Sequence, residues 1–260
     1  MKLKDIFYKK RWVSRLFFLA VFALIWESAA CFSGVSPLLL PPLEAVFAAL
    51  WTNLSAGTLL PQILFSLSLI FLALLISSVL ALALGVWGAV SPFFLRLTDT
   101  LSAMAHPLPG MALLPLVVIW FGTGTPAVLA VIVHACLWPL LISLQSGMQG
   151  ASRVYVDVGR NLSMSRFAVA VEILLPAAAT QIIAGLRIGW ARAWRALISA
   201  EMVFGAIGQL GGLGWFIFKR RVMMDTGGLF AGILVVAFIG MAMEELLFQW
   251  LEKRMGERAA

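Results

Sequence analysis

Six apolar stretches, each long enough to cross a bilayer as a helix, recur along the 260-residue chain and constrain its fold most strongly. A spanning helix needs roughly 20 mainly apolar residues. The stretches lie at about 16–32, 59–86, 97–121, 126–144, 177–203 and 228–251. The sequence therefore predicts an all-α, polytopic membrane protein with six transmembrane helices.

The composition argues in the same direction. Hydrophobic residues make up 62% of the chain and charged residues 12%, and the mean hydropathy is +1.00. A typical soluble domain is about half apolar and about a quarter charged. These values argue against a soluble enzyme and a soluble nucleic-acid-binding protein, and they exclude a disordered chain, which would be poor in apolar residues.

Two further features belong to the first 60 residues. The Pro-bounded segment 37–58 has apolar residues at helical spacing, which predicts an amphipathic helix at the membrane interface. The basic start and the apolar stretch that follows resemble a signal peptide. However, Glu27 stands where the cleavage region would begin, so we expect a retained first helix. For Glu27 itself we expect pairing at a helix end or between helices.

Basic residues predict the orientation. Of the 19 Lys and Arg residues, thirteen lie in the N-terminal tail, the C-terminal tail and the loops after the second and fourth spans. The positive-inside rule therefore predicts that both termini are cytosolic. Three basic residues fall on the opposite side, namely Lys219, Arg220 and Arg221.

Motifs for other chemistries are absent from the sequence. Cys31 and Cys136 lie in apolar runs, so no disulfide framework is indicated. The two histidines form no HExxH pattern or Cys/His cluster, so we expect no metal site. No GxxxxGK[ST] pattern occurs, so ATP would have to be bound by another chain.

The segment Tyr155–Pro176, YVDVGRNLSMSRFAVAVEILLP, carries a spaced motif: Asp157-Val158-Gly159, then Ser163, then Ile173-Leu174-Leu175-Pro176. It resembles the "EAA" cytosolic loop of permease subunits from binding-protein-dependent ABC importers. Asp157 stands where that family usually has Glu, and Ser163 where it usually has Gly. Serine adopts positive φ angles less freely than glycine, so a turn that needs them would be strained.

The resemblance covers nearly the whole chain and points to the sulfonate, taurine and nitrate importer group. The matching segments are Ala184–Gly189, Ala193-Trp194, Ala200–Met202, His106–Pro109, Leu114–Leu116, Trp120–Gly122, Gly211–Gly214 and Asp225-Thr226.

The resemblance implies one type I ABC importer transmembrane domain over residues 1–260, with a coupling loop at about 147–176. It implies a bacterial plasma-membrane permease that carries a small, anionic solute by ATP-driven alternating access and is not itself an enzyme. The implied partners are a second copy of the chain, two ABC ATPase subunits that bind ATP and Mg, a periplasmic or lipoprotein solute-binding protein, and membrane lipid, without nucleic acid or a cofactor in this chain. The alternatives are a permease for a thiamine-precursor-like or other small organic solute, a secondary transporter and an intramembrane enzyme.

The loop contains a short helix, predicted over 151–162, with Val154, Val158 and Leu162 in an apolar stripe. The stripe would pack either on the chain's own helix ends or in a groove of an ATPase subunit. From the resemblance, the residues assigned to ATPase coupling are Asp157, Gly159, Arg160, Leu162, Ser163, Met164 and Pro176.

Charges and prolines inside spans indicate the substrate path. Intramembrane arginines are costly and usually face a cavity or pair with an acid, and both readings stay open for Arg187, Arg192 and Arg195. Pro107, Pro109 and Pro115 predict that the third span is broken or kinked. The predicted path residues are His106, Pro107, Arg187, Trp190, Arg192, Trp194, Arg195 and Glu201, with a packing role as the alternative for His106.

A glycine-rich loop follows the fifth span, and aromatic and basic residues come after it. We expect an outer gate or a contact for the solute-binding protein here, formed by Trp215, Lys219, Arg220 and Arg221.

Overall fold

The computed structural model describes residues 11–206 and 211–259, and its regular elements over these residues are helices. In chain order the α-helices are α1 (Arg11–Phe32), α2 (Leu43–Ser55), α3 (Leu59–Val90), α4 (Pro92–Ala105), α5 (Leu114–Phe121), α6 (Thr125–Gln149), α7 (Arg153–Asn161), α8 (Arg166–Ala168), α9 (Leu175–Ala177), α10 (Ala179–Phe204), α11 (Leu213–Val222), α12 (Thr226–Ala242) and α13 (Gln249–Ala259). A 3₁₀ turn (Gly110–Leu113) precedes α5, and two π-helical segments, π1 (Val169–Leu174) and π2 (Met243–Phe248), precede α9 and α13.

Five of the six predicted spans correspond to helical segments long and apolar enough to cross a membrane. Three are the segments Leu59–Val90, Thr125–Gln149 and Thr226–Arg254, and two are bent helix pairs. The first predicted span corresponds to the apolar stretch Phe17–Phe32 of α1, which falls just below the range of about 17–25 residues that a crossing takes, so this span stays a prediction. The segment 37–58 contains a helix, α2, as predicted, and its position at the membrane interface stays a prediction.

The third predicted span is broken, as its prolines indicate. The segments Pro92–Ala105 and Gly110–Phe121 meet at an angle of 92°. Pro107 and Pro109 lie in the four-residue break, where neither can donate a backbone hydrogen bond. Such breaks in membrane helices are tolerated where protein surrounds them or where they line a water-filled cavity. A cavity beside this break is therefore a candidate for the substrate path.

The residues divide into two compact units, 1–60 with 216–235, and 61–215 with 236–260. In the first unit, Glu27 accepts a hydrogen bond from the backbone N–H of Leu43, the first residue of α2, at 2.8 Å. Trp26 donates its indole N–H to the Pro41 carbonyl at 3.0 Å. The expected helix-end role of Glu27 is thereby confirmed.

The second unit is built around close contact between α6 and α10. Small residues allow this approach: a Cβ on Gly189 would lie 2.7 Å from the Cys136 sulfur, and one on Gly185 would lie 2.7 Å from the Ser143 Cβ. Small residues at crossing points are typical of membrane helix pairs, because packing rather than hydrophobic burial holds them together. Arg192 and Arg195 of α10 lie near the middle of α6 in this arrangement, since both line a cavity with residues of α6. The predicted single domain over the whole chain stays a prediction.

Candidate functional site

A cavity of about 510 Å³ in the second unit lies beside the break in the third span. Its walls come from the break and the 3₁₀ turn, from the middle of α6 and from α10. The polar and charged residues that line it are His106, His134, Trp138, Arg192, Arg195 and Ser199. The structure thus brings together four of the predicted path residues: His106, Pro107, Arg192 and Arg195.

Arg192 joins α10 to the broken span. One of its terminal nitrogens donates a hydrogen bond to the His106 carbonyl at 3.3 Å and lies 3.5 Å from His106 Nδ1. Arginine has donors only, so Nδ1 can receive this hydrogen bond only when it carries no proton. Arg195, one turn further along, donates from Nε to the Ala191 carbonyl of its own helix at 2.9 Å.

The lining favours an anion. Among the described residues that line this cavity, the charged side chains are arginines, and none is Asp or Glu. Pro139 lies inside α6 and cannot donate to the Ala135 carbonyl four residues earlier. Ala135 and Pro139 both line the cavity, so α6 is irregular on the side where the cavity lies.

Arg187 is held by two acids. It donates to Glu244 through Nε and to Glu252 through a terminal nitrogen at 3.0 Å, and each side chain is about one-third exposed. Glu244 lies in π2 and Glu252 lies in α13, so the pairing ties α10 to the C-terminal helix. These contacts match the acid-paired interpretation of Arg187, and its predicted place on the substrate path stays a prediction.

A smaller cavity of about 370 Å³ lies next to this ion pair. Arg187, Glu244 and Glu252 line it, and so do Arg192 and Arg195, which line the larger cavity as well. Two arginines are therefore common to both cavities, and among the described lining residues the carboxylates belong to the smaller cavity.

Glu201 is fully buried and is bonded within the chain. It accepts hydrogen bonds from the Ser66 hydroxyl at 2.7 Å and from the Gly214 N–H at 2.8 Å. Ser66 in turn accepts from the Leu213 N–H at 2.9 Å. A Cβ on Gly212 would overlap the carboxylate, so this glycine allows the loop to lie against Glu201.

The two predicted path tryptophans are also buried. Trp190 is 1% exposed and Trp194 6%, and their rings stack with centroids 5.6 Å apart. Neither they nor Glu201 lines the two cavities described above. Their predicted contact with substrate stays a prediction, and the contacts observed are packing and hydrogen bonds between helices.

The coupling loop presents an apolar surface. Val154, Val158 and Leu162 of the predicted stripe are 66%, 50% and 72% exposed. Gly159 is buried instead, and a Cβ there would lie 2.6 Å from Ile173 Cδ1. The short helix therefore rests on π1 through Gly159 and leaves its apolar stripe unpacked within the described chain.

The turn after α7 has the geometry that glycine favours. Ser163 has a φ of 60°. Its N–H donates to the Arg160 carbonyl at 2.9 Å, and the Met164 N–H donates to the Gly159 carbonyl at 3.0 Å. These two hydrogen bonds form a Schellman motif, in which the residue with positive φ is most often glycine. Serine thus occupies the left-handed position.

The other predicted coupling residues lie around this turn. Asp157 and Arg160 are both exposed and approach each other to 3.7 Å. Pro176 lies in α9, just before a 69° bend between Arg166–Ala177 and Ala179–Phe204. The fifth helix therefore continues from the coupling loop through a bend rather than starting at the proline.

The residues predicted for the outer face have different environments. Arg220 donates to Asp225 at 2.9 Å and to Asn53, and its guanidinium lies 5.0 Å from the Phe216 ring centroid. Lys219 and Arg221 are exposed. In the other unit, Trp215 packs against Gly205 and Gly211. Arg220 thus has a bracing role within its unit, and a contact with another protein stays a prediction for all four.

Comparison with known proteins decides the family. Residues 73–257 match the family described as binding-protein-dependent transport system inner membrane component. The chain belongs to this family. The type I ABC permease fold is the fold of this family, so the predicted fold class and the resemblance are confirmed.

The relatives that match this chain are permease proteins of transport systems, as the family assignment predicts. The chain is 31% identical to the taurine transport system permease protein TauC of Escherichia coli (strain K12) over 242 residues, which is 91% of this chain and 86% of TauC. It is 28% identical to the nitrate import permease protein NrtB of Leptolyngbya laminosa over 72% of this chain and 65% of NrtB. It is 25% identical to the bicarbonate transport system permease protein CmpB of Synechococcus elongatus over 68% of this chain and 63% of CmpB.

The permease is thus a transport subunit rather than an enzyme, and it is a multi-pass membrane component that works with a solute-binding protein and an ATPase. The cytosolic position of both termini and the pairing with a second copy stay predictions.

Three polar residues that line the larger cavity were not predicted from the sequence of this permease as path residues: His134, Trp138 and Ser199. The sequence does hold one signal for this region, because Pro139 interrupts an apolar span and marks an irregular helix. Which side chains face the irregularity depends on how α6 packs on α10, and the local sequence does not determine that.

Proposed function

We propose that this chain forms the translocation path of an ATP-driven importer for a small oxyanion, with a sulfonate such as taurine as the first candidate. The observation that carries the proposal is the cavity beside the broken span, where Arg192, Arg195 and His106 meet and the described lining has no carboxylate. Guanidinium groups offer several donors in a fixed fork, which suits oxyanions.

The relatives support the same chemistry. TauC, NrtB and CmpB are named for taurine, nitrate and bicarbonate transport. Taurine carries a sulfonate, and nitrate and bicarbonate are oxyanions. The three solutes differ in size and in their other groups, so the feature that they share is a negatively charged group of oxygens, and arginines are suited to bind such a group.

The two cavities favour a path along which the solute moves over a single site that retains it. An oxyanion that moves from the larger cavity to the smaller one keeps Arg192 and Arg195 as neighbours. In the smaller cavity it meets Glu244 and Glu252, which already pair with Arg187 and repel an anion. The anion is therefore held less tightly there, as a path that releases its solute requires.

The energy for transport comes from a partner chain in this proposal. A second copy of the permease completes the membrane domain, and two ATPase subunits bind ATP and Mg. Each ATPase subunit receives one coupling loop through the exposed stripe Val154, Val158 and Leu162. Movement of the loop passes to α10 through the bent segment 166–177, and the path opens to each side in turn.

The test is uptake of labelled taurine by cells that lack other taurine transport and express the permease with its own ATPase and binding protein. Arg192→Gln keeps the size of the side chain roughly but removes a charged donor, so we expect uptake to fall about tenfold or more with unchanged membrane expression.

Arg96→Gln serves as the control, because Arg96 is exposed and lines neither cavity. Full uptake with Arg192→Gln, or equal losses in the two variants, would contradict the assignment of the cavity to the path.

A further inference from the structure

A third cavity, of about 460 Å³, lies at the coupling-loop end of the second unit. Its walls come from the junction between α3 and α4, the last turns of α6, the coupling helix α7 and π1. It is separate from the transport cavities, because none of the residues that line it lines either of them. Its location between the coupling loop and the spanning helices connects it with coupling rather than with the path.

One wall of this cavity is fixed by buried polar contacts. Gln145 near the end of α6 is 5% exposed and donates from Nε2 to Thr98 Oγ1 of α4 at 2.6 Å. Thr98 is 2% exposed and donates to a carbonyl of its own helix. A Cβ on Gly88 would be in ordinary van der Waals contact with Gln145 Nε2, at 3.5 Å, so α3 runs directly beside the pair. These contacts hold α3, α4 and α6 together at one side of the cavity.

The opposite side of the cavity belongs to the coupling loop and is basic. Arg160 from the last turn of α7 and Arg166 from the start of α8 line it, and none of the described lining residues is Asp or Glu. Asp157 approaches Arg160 at 3.7 Å, but both side chains are largely exposed, and such pairs contribute little. The two guanidinium groups therefore leave a net positive charge at the cavity.

The remaining wall is apolar, and it includes Val90, Pro92 and Leu95 at the turn where α3 ends and α4 begins. α3 is long and apolar enough to span a membrane, and α4 is the first half of the broken span, so a turn between them is expected at the end of the apolar layer, near the lipid head groups. Basic pockets between spanning helices near a membrane surface bind anionic phospholipid head groups. An apolar wall beside two guanidinium groups matches a phosphate that is joined to an acyl chain.

We propose that this cavity is a phosphate-binding site that regulates coupling, and that its ligand is either the phosphate of an anionic phospholipid or a free phosphate ion. A bound phosphate would join Arg160 and Arg166 of the coupling loop to the fixed wall of α3, α4 and α6. Bound phosphate then stabilises the coupling loop in the position seen in the structure. This changes how ATP hydrolysis is coupled to transport. The site is distinct from the transport cavities and does not depend on the nature of the transported solute.

The experiment uses the purified permease–ATPase complex in nanodiscs of phosphatidylcholine, with and without phosphatidylglycerol. Native mass spectrometry measures the phosphatidylglycerol that stays bound, and titration calorimetry with inorganic phosphate in phosphatidylcholine discs measures binding of the free ion. Arg166→Gln should weaken binding about tenfold, because it removes a charged donor to phosphate. Arg166→Lys, which keeps the charge, should restore part of the binding.

Arg153→Gln is the matched control, since Arg153 lies on the same short helix as Arg160 but does not line the cavity. We expect it to bind like the wild type. Retention of phosphatidylglycerol alone identifies the lipid as the source of the phosphate, and binding of inorganic phosphate alone identifies the free ion. Binding of neither probe to the wild type, or equal binding by Arg166→Gln and the wild type, overturns the proposal.

Discussion

The hydrogen bonds around Glu201 allow a quantitative test of how this fold is held together. Ser66 on α3 is fully buried, and its hydroxyl forms two hydrogen bonds. It donates to the Glu201 carboxyl group at 2.7 Å and accepts from the Leu213 N–H at 2.9 Å. Ser66→Ala removes both interactions without adding bulk. Glu201 keeps the Gly214 N–H, while the N–H of the fully buried Leu213 loses its acceptor.

The expected loss of stability follows from these two changes. A hydrogen bond to a buried carboxyl group contributes about 0.5–3 kcal/mol, with the upper end for a charged carboxylate, and a buried donor left without a partner costs about 1–3 kcal/mol. The two changes share one hydroxyl, so we expect a total of about 3 kcal/mol rather than the full sum. For a chain of this size that corresponds to a fall of roughly 6–12 °C in the midpoint of thermal unfolding.

A matched control lies two residues away on the same helix. Ser68 is exposed, and its hydroxyl donates to the Phe65 carbonyl of its own turn at 2.7 Å. Ser68→Ala should change the free energy of unfolding by no more than about 0.5 kcal/mol. Thermal unfolding of both variants in the same detergent gives the comparison, and equal midpoints for Ser66→Ala and Ser68→Ala would refute the reasoning.

Two further predictions concern the coupling loop. Ser163→Gly should raise the free energy of unfolding by about 0.5 kcal/mol, because relief of the positive φ outweighs the greater freedom of glycine in the unfolded chain. A lower unfolding midpoint for this variant would contradict the left-handed turn. Gly159→Val should abolish ATP-dependent uptake while leaving membrane insertion intact, since its side chain would displace Ile173 and shift the coupling helix. Uptake and membrane fractionation measure this, and wild-type uptake would mean that the helix does not rest on π1 through Gly159.

Local patterns in the sequence determine several features of this protein. The lengths of the apolar stretches predict five segments that the structure shows as helices or bent helix pairs long and apolar enough to span a membrane, because the bilayer thickness sets the length that a crossing needs. Pro107 and Pro109 predict the break in the third span, because proline acts on its own turn. The comparison of Ser163 with the family's usual glycine predicts strain if the turn needs a positive φ, and the observed φ is 60°.

The partners of the buried and charged side chains could not be predicted in this way. Arg187 and Glu252 are 65 residues apart in the chain, and Ser66 and Glu201 are 135 apart. These pairs form because α6, α10 and their neighbours pack in one particular rotation. The sequence marks Arg187, Arg192 and Arg195 as unusual, but helix packing decides that the first meets acids while the other two line the larger cavity.

The central claim is that this permease carries a small oxyanion through the arginine-lined cavities. The most direct measurement is accumulation of labelled solute in proteoliposomes that contain the permease with its ATPase and binding protein, started by addition of ATP and Mg. We expect ATP-dependent accumulation of one of labelled taurine, nitrate or bicarbonate and none of an uncharged thiamine-precursor pyrimidine. ATP-dependent accumulation of the uncharged solute, with no accumulation of any of the three anions, would contradict the account.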